Sequence, residues 1–258
     1  MSFGVLPARA QQPGDDDDRT IQPAEPDYRL INLPTTLRLP LHSGNFELTH
    51  RFGGSLTTGD FGDQVASLFG MDDGAIIGLE YRFGIARHVE AAIYRSSLDK
   101  TYQFYGKYDA VHQHDSTPLS LSALVSIEGG NNFQQDYAPA LGIVVSRTMA
   151  ENVAVYATPM WVHNSAASTG VDRDTFFVGI GGQWRATPNM YLVAEVSPRV
   201  AGYAPDQPEY GFGVGWRVGG HVFQVNFTNT WSTTFAQIAR GGKPDTLYLG
   251  FNLARKFF

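Results

Sequence analysis

Ten ionisable residues, Glu47, Arg51, Glu80, Arg82, Glu90, Lys107, Asp109, Arg185, Glu195 and Arg217, share one spacing rule. Each sits in a run where apolar and polar residues alternate, so all ten fall on one face of extended chain. Five acids against five bases allow two kinds of chemistry. Paired across neighbouring strands, they neutralise one another and stiffen a wall. Lining a bore, they bind or select a small polar solute. Equal numbers favour the paired network, because a selective pore carries an excess of one sign.

Other residues suggest chemistry only weakly. His112 and His114 lie two apart, share a face on a strand, and would ligate a transition metal only if a third ligand converged on them. They fall at an expected turn, where solvated polar residues are ordinary. The glycine runs Gly179-Ile180-Gly181-Gly182 and Gly211-Phe212-Gly213-Val214-Gly215 do not open a helix after a strand, so they are no phosphate cradle. They read as the small side of a lumen, leaving room for facing tyrosines such as Tyr191 or Tyr248. Neither a Gly-x-Ser-x-Gly elbow nor a His-Glu-x-x-His zinc motif occurs, so no catalytic constellation and no cofactor is implied.

The elements that must hold the ten charges are strands. Near the end of the chain Tyr210, Phe212, Val214, Trp216 and Val218 alternate with three glycines and Arg217. Phe223, Val225 and Phe227 then alternate with Gln224, Asn226 and Thr228, and Leu249, Phe251 and Leu253 with Gly250, Asn252 and Ala254. Twelve such runs follow Asn45, at about 45–53, 74–84, 88–97, 101–113, 118–128, 137–147, 152–163, 174–186, 189–199, 208–218, 220–231 and 244–257. The run at 152–163 alternates poorly. Tight turns follow every second run, and longer connections follow most of the others; the link at Leu98 to Lys100 is the exception. Two of the long connections, around Asp60 to Phe69 and Thr234 to Ala239, can hold a short helix. An even number of strands, tight turns at one end and long loops at the other describe an all-β, single antiparallel up-and-down transmembrane barrel of about twelve strands.

Composition agrees. The 258 residues are 43% hydrophobic and 13% aromatic with 28 glycines and only 17% charged, yet no apolar stretch is long enough for a membrane helix. The net charge of −6 argues against nucleic acid as a partner. The absence of cysteine removes disulfides, thiolate metal sites and a lipoprotein anchor. Ala8-Arg9-Ala10 resembles a signal-peptidase site, so residues 1–10 read as the remnant of a signal peptide. Residues 11–44, with Asp15 to Asp18 and many prolines, read as a mobile periplasmic leader. The barrel then takes 45–258.

With the strands placed, several motifs read together: Thr49-His50-Arg51-Phe52-Gly53, Gly78-Leu79-Glu80-Tyr81, Arg95-Ser96-Ser97, Lys100-Thr101-Tyr102, Lys107-Tyr108, Gly219-Gly220-His221-Val222-Phe223-Gln224, Thr228-Asn229, and Gly250-Phe251-Asn252 with Arg255. The ordered set resembles an uncharacterised family of bacterial β-barrel membrane proteins catalogued as a domain of unknown function, over about Asn45 to Phe258. The resemblance implies a barrel in the outer membrane of a diderm bacterium and implies no activity. The final Phe258 also resembles the terminal aromatic read by the outer-membrane assembly machinery, although Phe257 is the residue in phase with the apolar face. The expected function is that of a monomeric porin-like barrel in the lipid bilayer that passes or binds a small polar solute. The alternatives are a structural or surface-interaction barrel with a plugged lumen and, further off, a membrane-embedded enzyme.

Overall fold

The computed structural model describes residues 23–166 and 173–257. The suspected signal remnant at 1–10, the aspartate run and Phe258 lie outside them. Thirteen strands form in chain order: β1 (Gly44–Ser55), β2 (Ala75–Ala86), β3 (Val89–Ser96), β4 (Tyr102–Val111), β5 (Ser120–Gly129), β6 (Gln135–Met149), β7 (Val153–Val162), β8 (Thr175–Arg185), β9 (Met190–Ser197), β10 (Arg199–Gly202), β11 (Glu209–Val218), β12 (His221–Thr228) and β13 (Tyr248–Phe257). Each wall strand pairs antiparallel with the next, β9 with β11, and β13 returns to β1 with Gly44 opposite Phe257. The result is a closed barrel of twelve strands. The extra strand β10 is the continuation of β9 beyond Pro198, whose missing N–H breaks the ladder before Arg199 pairs again with β8.

Alternation sets the two faces. On β2, Ile77, Leu79, Tyr81 and Phe83 are all exposed, while Glu80 and Arg82 between them are 1% exposed. An outer surface of this kind, repeated on every wall strand, is a band for lipid, because soluble proteins seldom show large continuous apolar patches. No helix among the described residues is long and apolar enough to cross a membrane; the strands do the crossing.

Tight turns join β2 to β3, β6 to β7, β8 to β9 and β11 to β12, while residues 112–119 make a longer link from β4 to β5 at the same end. Both ends of the barrel chain lie at that same end. The opposite end carries the longer connections with the short helices α1 (Phe61–Ala66), α2 (Gly130–Phe133) and α3 (Phe235–Arg240). The Asp60 carboxylate accepts from the Gly62 and Asp63 N–H groups to start α1.

The structure departs from the sequence reading in the leader. From Pro23 onward it is packed inside the barrel rather than mobile: Ala24, Tyr28, Leu30, Ile31, Leu33, Leu37 and Leu39 are 8% exposed or less. The segment folds as a hairpin, with the Leu30 N–H on the Leu33 carbonyl at 2.8 Å and the Thr35 N–H on the Tyr28 carbonyl at 3.0 Å. Its legs stand at the tight-turn end, where Tyr191 donates to the Pro23 carbonyl, and its tip reaches toward the loop end. The physical reason is the wall itself, whose bare glycines and inward apolar residues leave room that the leucines of the segment fill and water does not.

Candidate functional site

The lumen is where the charged residues converge, and it is filled. Arg29, on the hairpin, inserts its guanidinium between two wall carboxylates. Nε lies 3.2 Å from Glu47 and Nη2 lies 2.5 Å from Glu80. Its Nη1 donates to the carbonyls of Asn32 and Thr233, and its plane lies 5.3 Å from the Tyr94 ring centre. From there the charges run along the wall. Arg82 bonds Glu80 at 2.6 Å and Glu90 at 3.3 Å; Lys107 lies 3.7 Å from Glu90 and 3.3 Å from Asp109. Lys107 also donates to the Thr35 and Leu37 carbonyls of the hairpin's returning leg. Strands β1 to β4 position these groups, because every second residue of a strand faces inward and neighbouring strands bring those residues side by side.

The hairpin tip is held by carboxylates of another kind. Glu195 on β9 accepts the backbone N–H groups of Ile31, Asn32 and Leu33 at 2.8 to 3.2 Å. Glu209 on β11 accepts from the Asn32 side chain and from Ser197. Arg51, which has no carboxylate within ion-pair distance among the described residues, donates to the side chains of Asn32 and Asn252. Charge-assisted bonds of this type are each worth roughly 1.5–3 kcal/mol.

From the loop end, α3 closes the bore. Glu128 on β5 accepts from the Thr234 hydroxyl and the Ala236 N–H at the start of α3. Phe235, Ala236, Ile238 and Ala239 are buried, and α3 packs against β6, β7 and β8. Those strands turn apolar residues inward, Val144, Ala154, Met160, Val162 and Phe177 among them. This explains the poor alternation of the run at 152–163: both of its faces are apolar.

Eight of the ten charges singled out in the sequence are buried in the lumen: Glu47, Arg51, Glu80, Arg82, Glu90, Lys107, Asp109 and Glu195. Arg185 and Arg217 are in phase but sit half-buried at the tight-turn end, away from the network. Arg185 donates to the Pro188 carbonyl, and Arg217 lies over the Tyr191 ring. Two buried acids of the strands went unnoticed, Glu128 and Glu209, each near the loop end of its strand, as did Glu25 and Asp27 on the hairpin. Extending the inward phase to the strand ends would have found the two on the strands. With them, the strands bury seven acids against three bases. Three of the six glycines of the runs face the hairpin: a side chain at Gly179 would meet Leu33, one at Gly181 would meet Leu30, and one at Gly211 would approach Ile31, while one at Gly215 would lie 3.9 Å from Tyr191.

His114 lies in its turn, bonded to Ser116 and Thr117, and His112 is beside it at the rim of a cavity of about 450 Å³ with Glu25 and Arg147. No group of three His, Cys, Asp or Glu among the described residues is placed to hold a metal.

Among solved structures, the chain is similar to the KdgM porin, at 8% identity and a TM-score of 0.53, over 84% of this chain and 99% of that one. It is similar to the NanC porin, at 6% identity and a TM-score of 0.54, over 83% and 99%. KdgM has also been solved in complex with disordered oligogalacturonate. These likenesses establish the barrel fold. No curated protein matches the chain. A family described as a membrane bound beta barrel domain matches residues 27–257, a span that takes in most of the hairpin as well as every wall strand. An outward apolar band on a closed antiparallel wall places such a barrel in the lipid bilayer of the outer membrane. The chain belongs to the membrane bound beta barrel domain family DUF5777.

Proposed function

We propose that this barrel is a porin-like channel for a small polar solute and that the hairpin of residues 23–43 is its resting closure. One observation carries the reading. Among the described residues, 23–41 make no backbone-to-backbone hydrogen bond with the wall; their backbone meets the wall only through wall side chains such as Glu195 and Lys107. Side-chain bonds hold the segment, so it can leave the bore without breaking one rung of the barrel. Water entering behind it would solvate the charges it uncovers. Glu47, Arg51, Glu80, Arg82, Glu90, Lys107, Asp109 and Glu195 then line the passage, with Arg185 and Arg217 at its periplasmic rim.

Passage rather than catalysis is the function this arrangement serves. The wall's surplus of acids is unsuited to an acidic sugar chain such as the one in the KdgM complex. The same reading takes residues 1–10 as the end of an export signal, 11–22 as the periplasmic part of the leader, and insertion as the work of the outer-membrane assembly machinery, with one copy per channel. A permanently plugged, structural barrel is the competing account, supported by the filling of the lumen from both ends.

Planar-bilayer recording separates the two. The parent chain should open rarely. Glu195→Ala, which removes the acceptor of three hairpin N–H groups, should raise the open fraction at least tenfold. If the variant barrel inserts, keeps its heat-modifiable mobility on gels and stays silent, the structural account is the right one.

A further inference from the structure

The Arg29 guanidinium is a tenant of a site built largely by others. Around it stand the Glu47 carboxylate from β1, the Glu80 carboxylate from β2, the Tyr94 ring from β3 and the Thr233 carbonyl from the connection before α3. Of its polar partners, only the Asn32 carbonyl belongs to the hairpin itself. Two carboxylates, a carbonyl and an aromatic face are the groups that recognise a planar, donor-rich cation. When the hairpin withdraws, those four wall groups remain while Arg29 leaves. The surplus of buried acids on the strands adds a field of the same sign around them.

We infer that the pocket formed by Glu47, Glu80, Tyr94 and the Thr233 carbonyl is a binding site for a small organic cation bearing a guanidinium or primary ammonium group, and that Arg29 occupies it at rest in the manner of that ligand. As a statement about the transported solute, the inference rests on the channel reading above; as a statement about binding, it stands separately. Such a cation competes with Arg29 and so favours the withdrawn hairpin, linking the presence of solute to opening.

The test uses the full chain in detergent micelles and agmatine as the probe, with titration calorimetry as the readout. The parent should bind agmatine weakly, because Arg29 holds the site. Arg29→Ala should bind it at least tenfold more tightly. Adding Glu80→Gln to that variant should cancel the gain, and glucose should bind to none of the three. Should Arg29→Ala fail to fold, Glu195→Ala loosens the hairpin and leaves the four wall groups intact; it should show tighter agmatine binding that Glu80→Gln again removes. Agmatine affinity unchanged from the parent in the folded variant, or unchanged by Glu80→Gln, overturns the site. Binding is read without current. A silent barrel that binds agmatine therefore fails the channel reading alone, and a conducting one that ignores agmatine fails this inference alone.

Discussion

The inner wall has two halves that hold their contents by different physics. Strands β1 to β4 present Glu47, Glu80, Arg82, Glu90, Lys107 and Asp109, an ionic chain closed by Arg29 of the hairpin. Strands β6 to β9 present Val144, Ala154, Met160, Val162, Phe177 and Val193, covered by α3 and by leucines of the hairpin tip. Water is a fair substitute for the partners of the first half and none for those of the second. A buried ion pair gains little over solvated ions, because desolvation opposes the Coulomb attraction. Apolar contact, by contrast, is stabilised by the exclusion of water, at about 25 cal/mol per Å². The ionic half is therefore the side from which the filling can be released, and the apolar half is the side on which it is anchored.

The largest expected effect breaks this comparison on the ionic side. Arg82→Ala removes one of the two cations that hold each of Glu80 and Glu90, leaving Glu80 to Arg29 and Glu90 to Lys107, and breaking a buried pair costs about 3–5 kcal/mol. Met160→Ala on the apolar half leaves a cavity but no charge, at about 2–5 kcal/mol. Urea unfolding in micelles should rank them in that order, and a larger loss for Met160→Ala would reverse our view of which half is the more sensitive to a missing partner.

A subtler pair concerns glycine. At Gly179 a Cβ would fall 2.7 Å from a Leu33 methyl, whereas at Gly215 its nearest neighbour would be 3.6 Å away. Gly179→Ala should cost about 1–2 kcal/mol through overpacking and should push the hairpin tip outward, which limited proteolysis near Leu33 would reveal. Gly215→Ala should change stability by less than about 0.5 kcal/mol. Equal protease sensitivity of the two would mean that Leu33 does not depend on the bare backbone of β8.

The smallest effect belongs to the rim of the apolar half. His163 Nδ1 lies 2.7 Å from Asp174, both half-exposed beyond the ends of β7 and β8. Against desolvation, which acts the other way, the Asn164 N–H and the His163 ring together hold the Asp174 carboxyl below its usual range. A depressed carboxyl stabilises the fold above its unfolded pKa, about 3.9, and that contribution disappears as pH falls through the lower folded value. The Asp174 contribution to the melting temperature should hence be constant from about pH 5 upward, where Asp174→Asn melts below the parent, and that difference should shrink as pH falls below about 4. A difference that grows as the solution is acidified would contradict the assignment.

The strands and their faces were legible because period two survives in most of them: Val225 and Asn226 are told apart by their neighbours alone. The filling was not. Residues 23–43 carry prolines, scattered leucines and no lasting period, and their order comes from partners far along the chain, such as Glu195, 163 residues from Asn32, and Lys107, 70 residues from Leu37. One signal did exist. A water-filled bore has no use for the inward Ala154, Tyr156, Met160 and Val162, so the failed alternation at 152–163 was itself a sign that something apolar lay inside. The same alternation that identified Glu195 as inward also places Glu209 and Glu128 inward, near the loop ends of their strands. Arg185 and Arg217 show the opposite limit: phase tells which way a side chain points, and depth decides whom it meets.

The first and last strands form the seam of the barrel, paired from Gly44 with Phe257 to Arg51 with Gly250. Until β13 is in place the wall is an open trough, and the hairpin lies just before β1, at the foot of that seam. It can be laid in sideways, with no loose end drawn through a finished ring. Chain order thus makes the hairpin available as a former around which the sheet curls, and the final strand is the lid on work already inside. A protein assembled in this way needs no separate step to become closed; it has to learn only how to open.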